Sequence, residues 1–249
     1  MHALGALPAE VSPDSILEAL LEIRYETQVL PEIVYGRIVD NSNWEDFAQS
    51  TLPAYAFPAE LRQIDPDLRY APVLQLGSGI RSLRIGPSVL SFHIRNPYPG
   101  WTSFRQDLHN VVITLFGACR NELNVSRMGL RYINALLPGL HGINSIADLN
   151  ISLAVAGERL TSNLNLNYTS QINGDMQVTV RLSSKDLVKG DLPEDTSAFI
   201  DVDVYTGEDY ATNDIQAVKD WIDLAHEHEK AQFFRVFSPD MIANWSANS

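Results

Sequence analysis

Residues 20–26 read LLEIRYE, and this stretch sets the pattern on which the fold depends. The apolar side chains Leu21, Ile23 and Tyr25 alternate with charged ones, which is the period of two of a strand with one buried and one polar face. A second stretch, GLRYINAL at residues 129–136, also reads as strand and repeats the Arg-Tyr dipeptide. The sequence therefore predicts two leading strands that occupy equivalent places in the fold.

A similar order of elements follows each leading strand. In the first half, proline opens a short helix, Gly-Ser-Gly and Gly-Pro-Ser turns separate three strands, and an amphipathic helix comes last. Residues 41–70 contain three prolines and are expected to be mostly loop. The elements predicted for the first half are strand 16–26, helix 31–40, strands Val73–Leu76, Ile80–Ile85 and Val89–Arg95, and helix 102–120. Those predicted for the second half are strand Arg127–Leu136, a short helix at 145–155, strands Leu160–Tyr168, Met176–Leu182 and Phe199–Tyr205, and helix 214–237.

This order predicts an α+β fold in which two similar β-α-β-β-β-α halves, residues 1–123 and 124–249, share one continuous, largely antiparallel sheet. The long helices are expected to pack on one face of that sheet. The likeness of the halves has two explanations, an internal duplication or the ordinary similarity of any two meanders of short strands, and the sequence favours neither.

Composition excludes several classes of protein. The chain has 249 residues, 45% of them hydrophobic, and no apolar run long enough to cross a membrane. The N-terminus lacks a basic region followed by a long apolar one, and Cys119 is the single cysteine, so we expect a cytoplasmic protein without disulfides. A net charge of -13 repels nucleic acid and anionic membranes and argues against either as a partner, unless a local basic patch overrides it.

The polar sides of the predicted strands carry the candidate binding residues Arg24, Arg84, His93, Arg95 and Arg131. Arginine outnumbers lysine 14 to 4, and the planar guanidinium suits recognition of carboxylates and phosphates. Three interpretations stay open: a solvated face, contact with a partner protein or a second copy of the chain, and a site for a phosphorylated or nucleotide-like ligand. In the last case His93 or Glu22 is the candidate proton carrier.

His226 and Glu229 form a candidate buried polar pair on the last long helix. They are three residues apart and fall inside its apolar stripe, so they are expected to share one face. His226 and His228 are two residues apart and point to different sides, so no metal site is expected. No cofactor and no catalytic residue is predicted, because the serine, histidine and aspartate residues are scattered and GSGIRSLRIG lacks the Gly-Lys-Ser/Thr of a phosphate loop.

Four motifs taken in order carry a resemblance to a known family. They are LLEIRYE, the turn YPGW at residues 98–101, GLRYINAL and the closing helix DLAHEHEKAQFF followed by SPDM, and they span residues 16 to 242. With these four motifs in this order, the chain resembles a sporadically distributed bacterial family of uncharacterised proteins of about this length. The resemblance implies a cytoplasmic bacterial protein and no assigned site residues. The patchy distribution of that family implies a defence or toxin–antitoxin setting.

The function expected from the sequence is recognition of a protein partner, which includes a second copy of the chain, without catalysis. The alternative is an enzyme or sensor that binds a phosphorylated or nucleotide-like ligand on the arginine-lined face. The order of strands also resembles the saddle of TATA-binding proteins, but the net charge and the acids Asp201 and Asp203 on the same predicted face argue against DNA.

Overall fold

The structure, a computed structural model, describes residues 7–8, 11–188 and 192–247. Its centre is a nine-stranded sheet in which every neighbouring pair of strands is antiparallel. Helices pack against one side of this sheet, so the predicted α+β fold class is confirmed. The N-terminal residues on which the expectation of no secretion signal depends lie mostly outside the described part of the chain.

The first half begins with the strand β1 and ends with an 18-residue helix, α4. Between them, residues 41–70 include short helical pieces and one short strand that the sequence analysis assigned to loop. The elements in chain order are β1 (Ile16–Thr27), α1 (Pro31–Val39), β2 (Ala48–Thr51), a 3-10 turn (Pro53–Ala56), α2 (Ala59–Ile64), α3 (Pro66–Arg69), β3 (Leu74–Ser78), β4 (Arg81–Gly86), β5 (Val89–Arg95) and α4 (Trp101–Ala118).

The second half begins with the 14-residue strand β6 and contains the longest helix, α6. Its elements in chain order are β6 (Leu123–Leu136), α5 (Pro138–His141), a 3-10 turn (Ile146–Asp148), β7 (Ala154–Val155), β8 (Glu158–Arg159), β9 (Asn165–Asn173), β10 (Met176–Ser184), a 3-10 turn (Lys185–Leu187), β11 (Ala198–Thr206), α6 (Ile215–Arg235) and α7 (Pro239–Ala247). Strands β7 and β8 form a separate two-stranded ribbon.

The order of strands across the sheet is β2-β3-β4-β5-β1-β6-β11-β10-β9. The two leading strands β1 and β6 pair at the centre, and each half then runs outward in reverse chain order from its last strand. Apart from the edge strand β2, the two halves therefore have the same arrangement about the β1–β6 pair. Descent of the halves from a duplication stays a prediction.

The core lies between the sheet and the long helices. Leu21, Ile23 and Tyr25 on β1 are fully buried or nearly so, as the alternation predicted. The helices α4 and α6 contact each other and cover this side of the central strands, α4 on β5 and α6 on β6 and β11. Cys119, just after α4, is buried among these apolar groups.

Two predicted elements differ from the structure for local reasons. The helix expected at 145–155 is only the turn Ile146–Asp148, because the chain then leaves it and the amide of Asn150 donates to the carbonyl of Val236. The strand expected from Leu160 starts at Asn165 instead. Asn163 has a φ of 51°, a left-handed conformation that interrupts an extended chain.

Candidate functional site

Two regions of the molecule concentrate polar chemistry. The first, called here the sheet face, is the side of the sheet away from α4 and α6, with Arg24, Arg84, His93, Arg95 and Arg131 on it. The second, called the cavity, lies between the start of α4, the helix α6 and the neighbouring ends of β1 and β6. Its lining includes the candidate pair His226 and Glu229.

A three-residue ion-pair cluster lies near the middle of the sheet face. Arg131 donates from Nε and Nη2 to the two carboxylate oxygens of Asp201, both at 2.7 Å. Arg181 donates to the same carboxylate at 2.9 Å. Asp201 is only 1% exposed, and the two guanidiniums shield it. The fork of Arg131 is thus already occupied by an acid of the chain itself.

Glu22 holds two more arginines of this face. Arg24 donates to its carboxylate at 2.8 Å and Arg127 at 3.3 Å. The guanidinium of Arg24 also lies over the ring of Tyr70, 4.3 Å from the ring centre, which is a cation–π contact. Arg24, like Arg131, is therefore already paired with an acid of the chain, which it shares with a second guanidinium.

His93 lies on this face but is buried, with 6% of its surface exposed. Its Nδ1 is 2.8 Å from the carboxylate of Glu18 and its Nε2 is 2.9 Å from the hydroxyl of Ser91. Burial lowers the pKa of His93, and the hydrogen bond with His93 lowers the pKa of Glu18. The sequence placed His93 on an open face as a candidate proton carrier, but in the structure both ring nitrogens already have partners.

Arg84 and Arg95 differ from the other arginines of the sheet face. Arg84 donates to the amide oxygen of Gln75 at 3.1 Å, and Arg95 is exposed. Within the described part of the chain, neither has a carboxylate within 4.0 Å. Of the four predicted arginines of this face, these two have no ion pair within that distance, although both attract the nearby carboxylate of Glu18 and help to lower its pKa.

The cavity has a volume of about 120 Å³ and mainly aromatic walls. Trp101 stacks on the imidazole of His226, with ring centres 3.7 Å apart and planes 9° apart. The hydroxyl of Tyr98 is 3.1 Å from that of Tyr132, which in turn is 3.4 Å from Nδ1 of His226. Its remaining lining residues are Val11, Asp14, Ser15, Ile16, Gly100, Asn134, Glu229, Lys230, Phe233 and Phe234.

Asn134 is the first buried polar group of this cavity. It lies on the helix-facing side of β6, in phase with the buried Leu130, Tyr132 and Leu136, and is 2% exposed. Ser15 donates to its Oδ1 at 3.0 Å, while its Nδ2 has no hydrogen-bond partner in the described structure. Turning the amide over exchanges the two atoms, so one head atom of Asn134 lacks a partner in either orientation.

Glu229 is the second buried polar group. It is 5% exposed, and no hydrogen bond or ion pair reaches its carboxyl from the residues that the structure describes. Burial raises the pKa of Glu229 to about 8, against the opposing effect of the nearby Lys230. Burial likewise lowers the pKa of His226 to about 4. At neutral pH both members of the predicted pair are therefore mostly uncharged.

The structure brings His226 and Glu229 to the same cavity but shows no hydrogen bond between them within the described residues. His226 instead contacts Trp101 and Tyr132. At the edge of the cavity, the carboxylate of Asp14 accepts hydrogen bonds from the backbone amides of Ile16 at 3.0 Å and Tyr98 at 3.3 Å. The cavity therefore combines a neutral aromatic interior with charged groups, Asp14 and Lys230, in its lining.

The sequence analysis missed Asn134 and undervalued the turn YPGW. Asn134 had a readable signal, because it is the one polar residue in the buried phase of GLRYINAL. In YPGW, Tyr98 and Trp101 form cavity wall, and Gly100 has a φ of 83°, which favours glycine at the start of α4. The pairing of this turn with α6 depends on the tertiary fold, which the sequence alone does not give.

The described residues contain no group of three or more histidine, cysteine, aspartate or glutamate side chains arranged to hold a metal ion. Among the same residues, no helix has both the length and the apolar character needed to cross a bilayer. Compared with protein-family models and with curated proteins, the sequence matches no family model and no curated protein.

Proposed function

We propose that this chain is a binding protein whose ligand is a small organic molecule held in the cavity. The observation that carries the proposal is Asn134, whose buried amide nitrogen has no partner among the described residues, beside the nearly buried Glu229, whose carboxyl lines the same cavity without a hydrogen bond or ion pair from those residues. A buried polar group that makes no hydrogen bond destabilises a fold by about 1–3 kcal/mol. Leucine or methionine at these positions would avoid that penalty, so a bound molecule that supplies the missing partners explains both residues.

The size and walls of the cavity agree with this ligand class. A cavity of about 150 Å³ is large enough for benzene, so the volume of about 120 Å³ suits a molecule with few heavy atoms. Small-molecule sites are mostly apolar and carry a small number of polar groups that fix orientation. Aromatic rings from the turn before α4, from β6 and from α6 fulfil the first condition, and Asn134 with Glu229 the second.

A fragment screen by ligand-observed NMR tests the proposal. Small polar aliphatic and aromatic fragments are expected to bind the wild-type chain and to lose binding in Asn134→Leu, which removes one partner while keeping a side chain of similar size. Asn167→Leu is the matched control, because it makes the same substitution at an exposed position on β9. Fragments that bind Asn134→Leu and wild type equally, or no bound fragment at all, would contradict the proposal.

Recognition of a protein partner through the sheet face is a second proposal, and one observation favours it. Arg84 and Arg95 have no ion pair within 4.0 Å in the described part of the chain. The exposed acids Asp175, Glu208 and Asp209 lie in turns of the second half of the chain. They line a groove beside the sheet face. Because basic and acidic parts occur on one surface, we propose a second copy of the chain as the partner. A defence or toxin–antitoxin setting for such an assembly is likewise a proposal.

Light scattering on the purified chain tests this second proposal. Wild type is expected to be a dimer, and Arg84→Glu with Arg95→Glu is expected to give a folded monomer. Arg120→Glu with Arg159→Glu is the matched control, since it makes the same change of charge at exposed positions outside the sheet face. A monomeric wild type, or a double variant that still dimerises, would exclude the assembly. If ATP raises the melting temperature of wild type but not of variants that lack Arg84 or Arg95, the nucleotide-like alternative would be favoured instead.

A further inference from the structure

We infer that the ligand of the cavity is a small organic ammonium ion, held by the carboxyl of Glu229 and surrounded by aromatic rings. The inference rests on the proposed function, because it names the ligand class of the same site. The inference uses three features of the cavity: the aromatic rings that line it, the polar side chains of Asn134 and Glu229, and the charges of the remaining lining residues.

The aromatic walls are the first feature. The lining includes rings from three parts of the fold: Tyr98 and Trp101 at the start of α4, Tyr132 on β6, and Phe233 and Phe234 on α6. The face of an aromatic ring is electron-rich and attracts a cation, most strongly when water is excluded. An ammonium ion among these rings gains this attraction, and a neutral molecule of the same shape does not.

The unpartnered polar groups are the second feature. A cation that reaches Glu229 forms an ion pair with a carboxylate that is 5% exposed, and a buried charge of either sign needs such a partner. Asn134 adds an acceptor when its amide turns its oxygen away from Ser15, since the hydroxyl of Ser15 accepts from Nδ2 as readily as it donates to Oδ1. Both unpartnered groups are then acceptors for one ligand.

The other titratable groups of the cavity leave this preference in place. Asp14, from the segment before β1, adds a second carboxylate, and Lys230 on α6 opposes it with one positive charge. His226 on α6 is neutral at neutral pH because burial lowers its pKa to about 4. Tyr98 and Tyr132 stay neutral as well, because burial raises the pKa of both hydroxyls.

Ionisation of Glu229 couples ligand binding to pH. Because the pKa of Glu229 is raised to about 8, the empty site holds a proton at neutral pH, and the cation must displace it. As the pH is raised towards 8, affinity for the cation is therefore expected to increase about tenfold per pH unit, and above about pH 8 it is expected to stay constant. A neutral ligand that accepts a hydrogen bond from the protonated carboxyl shows the opposite trend.

Isothermal titration calorimetry with matched probes tests the inference. Choline is permanently charged, and 3,3-dimethylbutan-1-ol is its neutral carbon analogue; ethanolamine adds a smaller ammonium ion with N–H donors. At about pH 8, choline or ethanolamine is expected to bind at least about tenfold more tightly than the neutral analogue. Near pH 7, binding of the cation is expected to release about one proton from Glu229. In Glu229→Gln the preference for the cation is expected to weaken to the part that the rings alone provide, and its pH dependence is expected to disappear. Glu227→Gln is the matched control, because it makes the same substitution at an exposed position on the same helix.

Each outcome decides one proposal or both. If the neutral analogue or other neutral fragments bind and neither cation is preferred, the ammonium inference is overturned while the cavity remains a ligand site. If none of the three probes and no fragment binds, both proposals fail. A cation preference that is as strong and as pH-dependent in Glu229→Gln as in wild type also overturns the inference, because Glu229 would then contribute nothing to it.

Discussion

Two glutamates of this chain, Glu18 on the sheet face and Glu229 in the cavity, have opposite surroundings. Glu18 lies 2.8 Å from Nδ1 of His93, and that hydrogen bond lowers its pKa. Glu229 has no such partner among the described residues, and burial raises its pKa to about 8. The same contrast holds for the two regions as a whole. Most charges of the sheet face are paired within the chain, and two polar groups of the cavity are not.

This contrast separates structural polar groups from functional ones. A charge that is satisfied within the fold contributes to stability or orientation and leaves little for a ligand. A buried group without a partner in the chain destabilises the fold unless a water or a ligand completes it. Tyr35, Arg62 and His109 also carry such an atom in the described structure, but only Asn134 has one that lines the cavity, beside Glu229, and we propose that a ligand completes that pair. By this criterion we propose that Arg24 and Arg131 mainly stabilise the sheet, whereas Asn134 and Glu229 contact a ligand.

The largest expected effect concerns the pH dependence contributed by Glu229. Its pKa is about 8 in the folded chain against an ordinary value of 4.5, so between these values only the unfolded chain loses the proton. The stability of wild type relative to Glu229→Gln is therefore expected to fall by about 1.4 kcal/mol per pH unit across this range. Urea denaturation of both proteins at several pH values measures the difference.

The direction of this effect is decisive. Below the ordinary value both states hold the proton and the two stabilities run parallel; above about pH 8 both states have lost it and they run parallel again. A difference that stays constant across the range would show that Glu229 already has a partner. The contrast between the two regions would then be lost.

The second expected effect concerns Asp201 on the sheet face. Asp201→Ala leaves the guanidiniums of Arg131 and Arg181 without their shared acid. Breaking a fully buried ion pair destabilises a fold by about 3–5 kcal/mol, but these guanidiniums are roughly a third or more exposed, so we expect about 2 kcal/mol. Chemical denaturation near neutral pH measures the loss. A change close to zero would show that the paired charges do not stabilise the sheet.

A third, smaller effect comes from an ion pair of the same geometry at the surface. Arg105 on α4 donates from Nε and Nη2 to both oxygens of Asp223 on α6, each at 2.6 Å, as Arg131 does to Asp201. Both partners are partly exposed to water, so Asp223→Ala is expected to reduce stability by about 0.5 kcal/mol or less. Comparing the two alanine variants in one denaturation series isolates burial as the cause. Equal losses would contradict that explanation.

The sequence predicted the features that depend on local periodicity. The period of two in LLEIRYE placed Leu21, Ile23 and Tyr25 in the core, and the apolar stripe of α6 placed His226 and Glu229 on the inner side of that helix. These are properties of a single element, and the spacing of side chains along the chain determines them.

The sequence did not predict what distant segments do to each other. Arg131 and Asp201 meet because β6 and β11 are neighbours in the sheet, although 70 residues separate them in the chain. His93 is buried for a similar reason, since Glu18 lies on the adjoining strand β1. Whether a charged side chain is free or already paired depends on such contacts. The sequence alone therefore could not show which of the candidate arginines are already paired within the chain.

The most direct test of this account is the stability of the double variant Asn134→Leu with Glu229→Met, measured by urea denaturation near neutral pH together with the fragment screen. If the two side chains are kept for a ligand, replacing them with apolar groups of similar size is expected to stabilise the chain by about 2 kcal/mol and to abolish fragment binding. A double variant that is less stable than wild type, or that binds fragments as wild type does, would contradict the account.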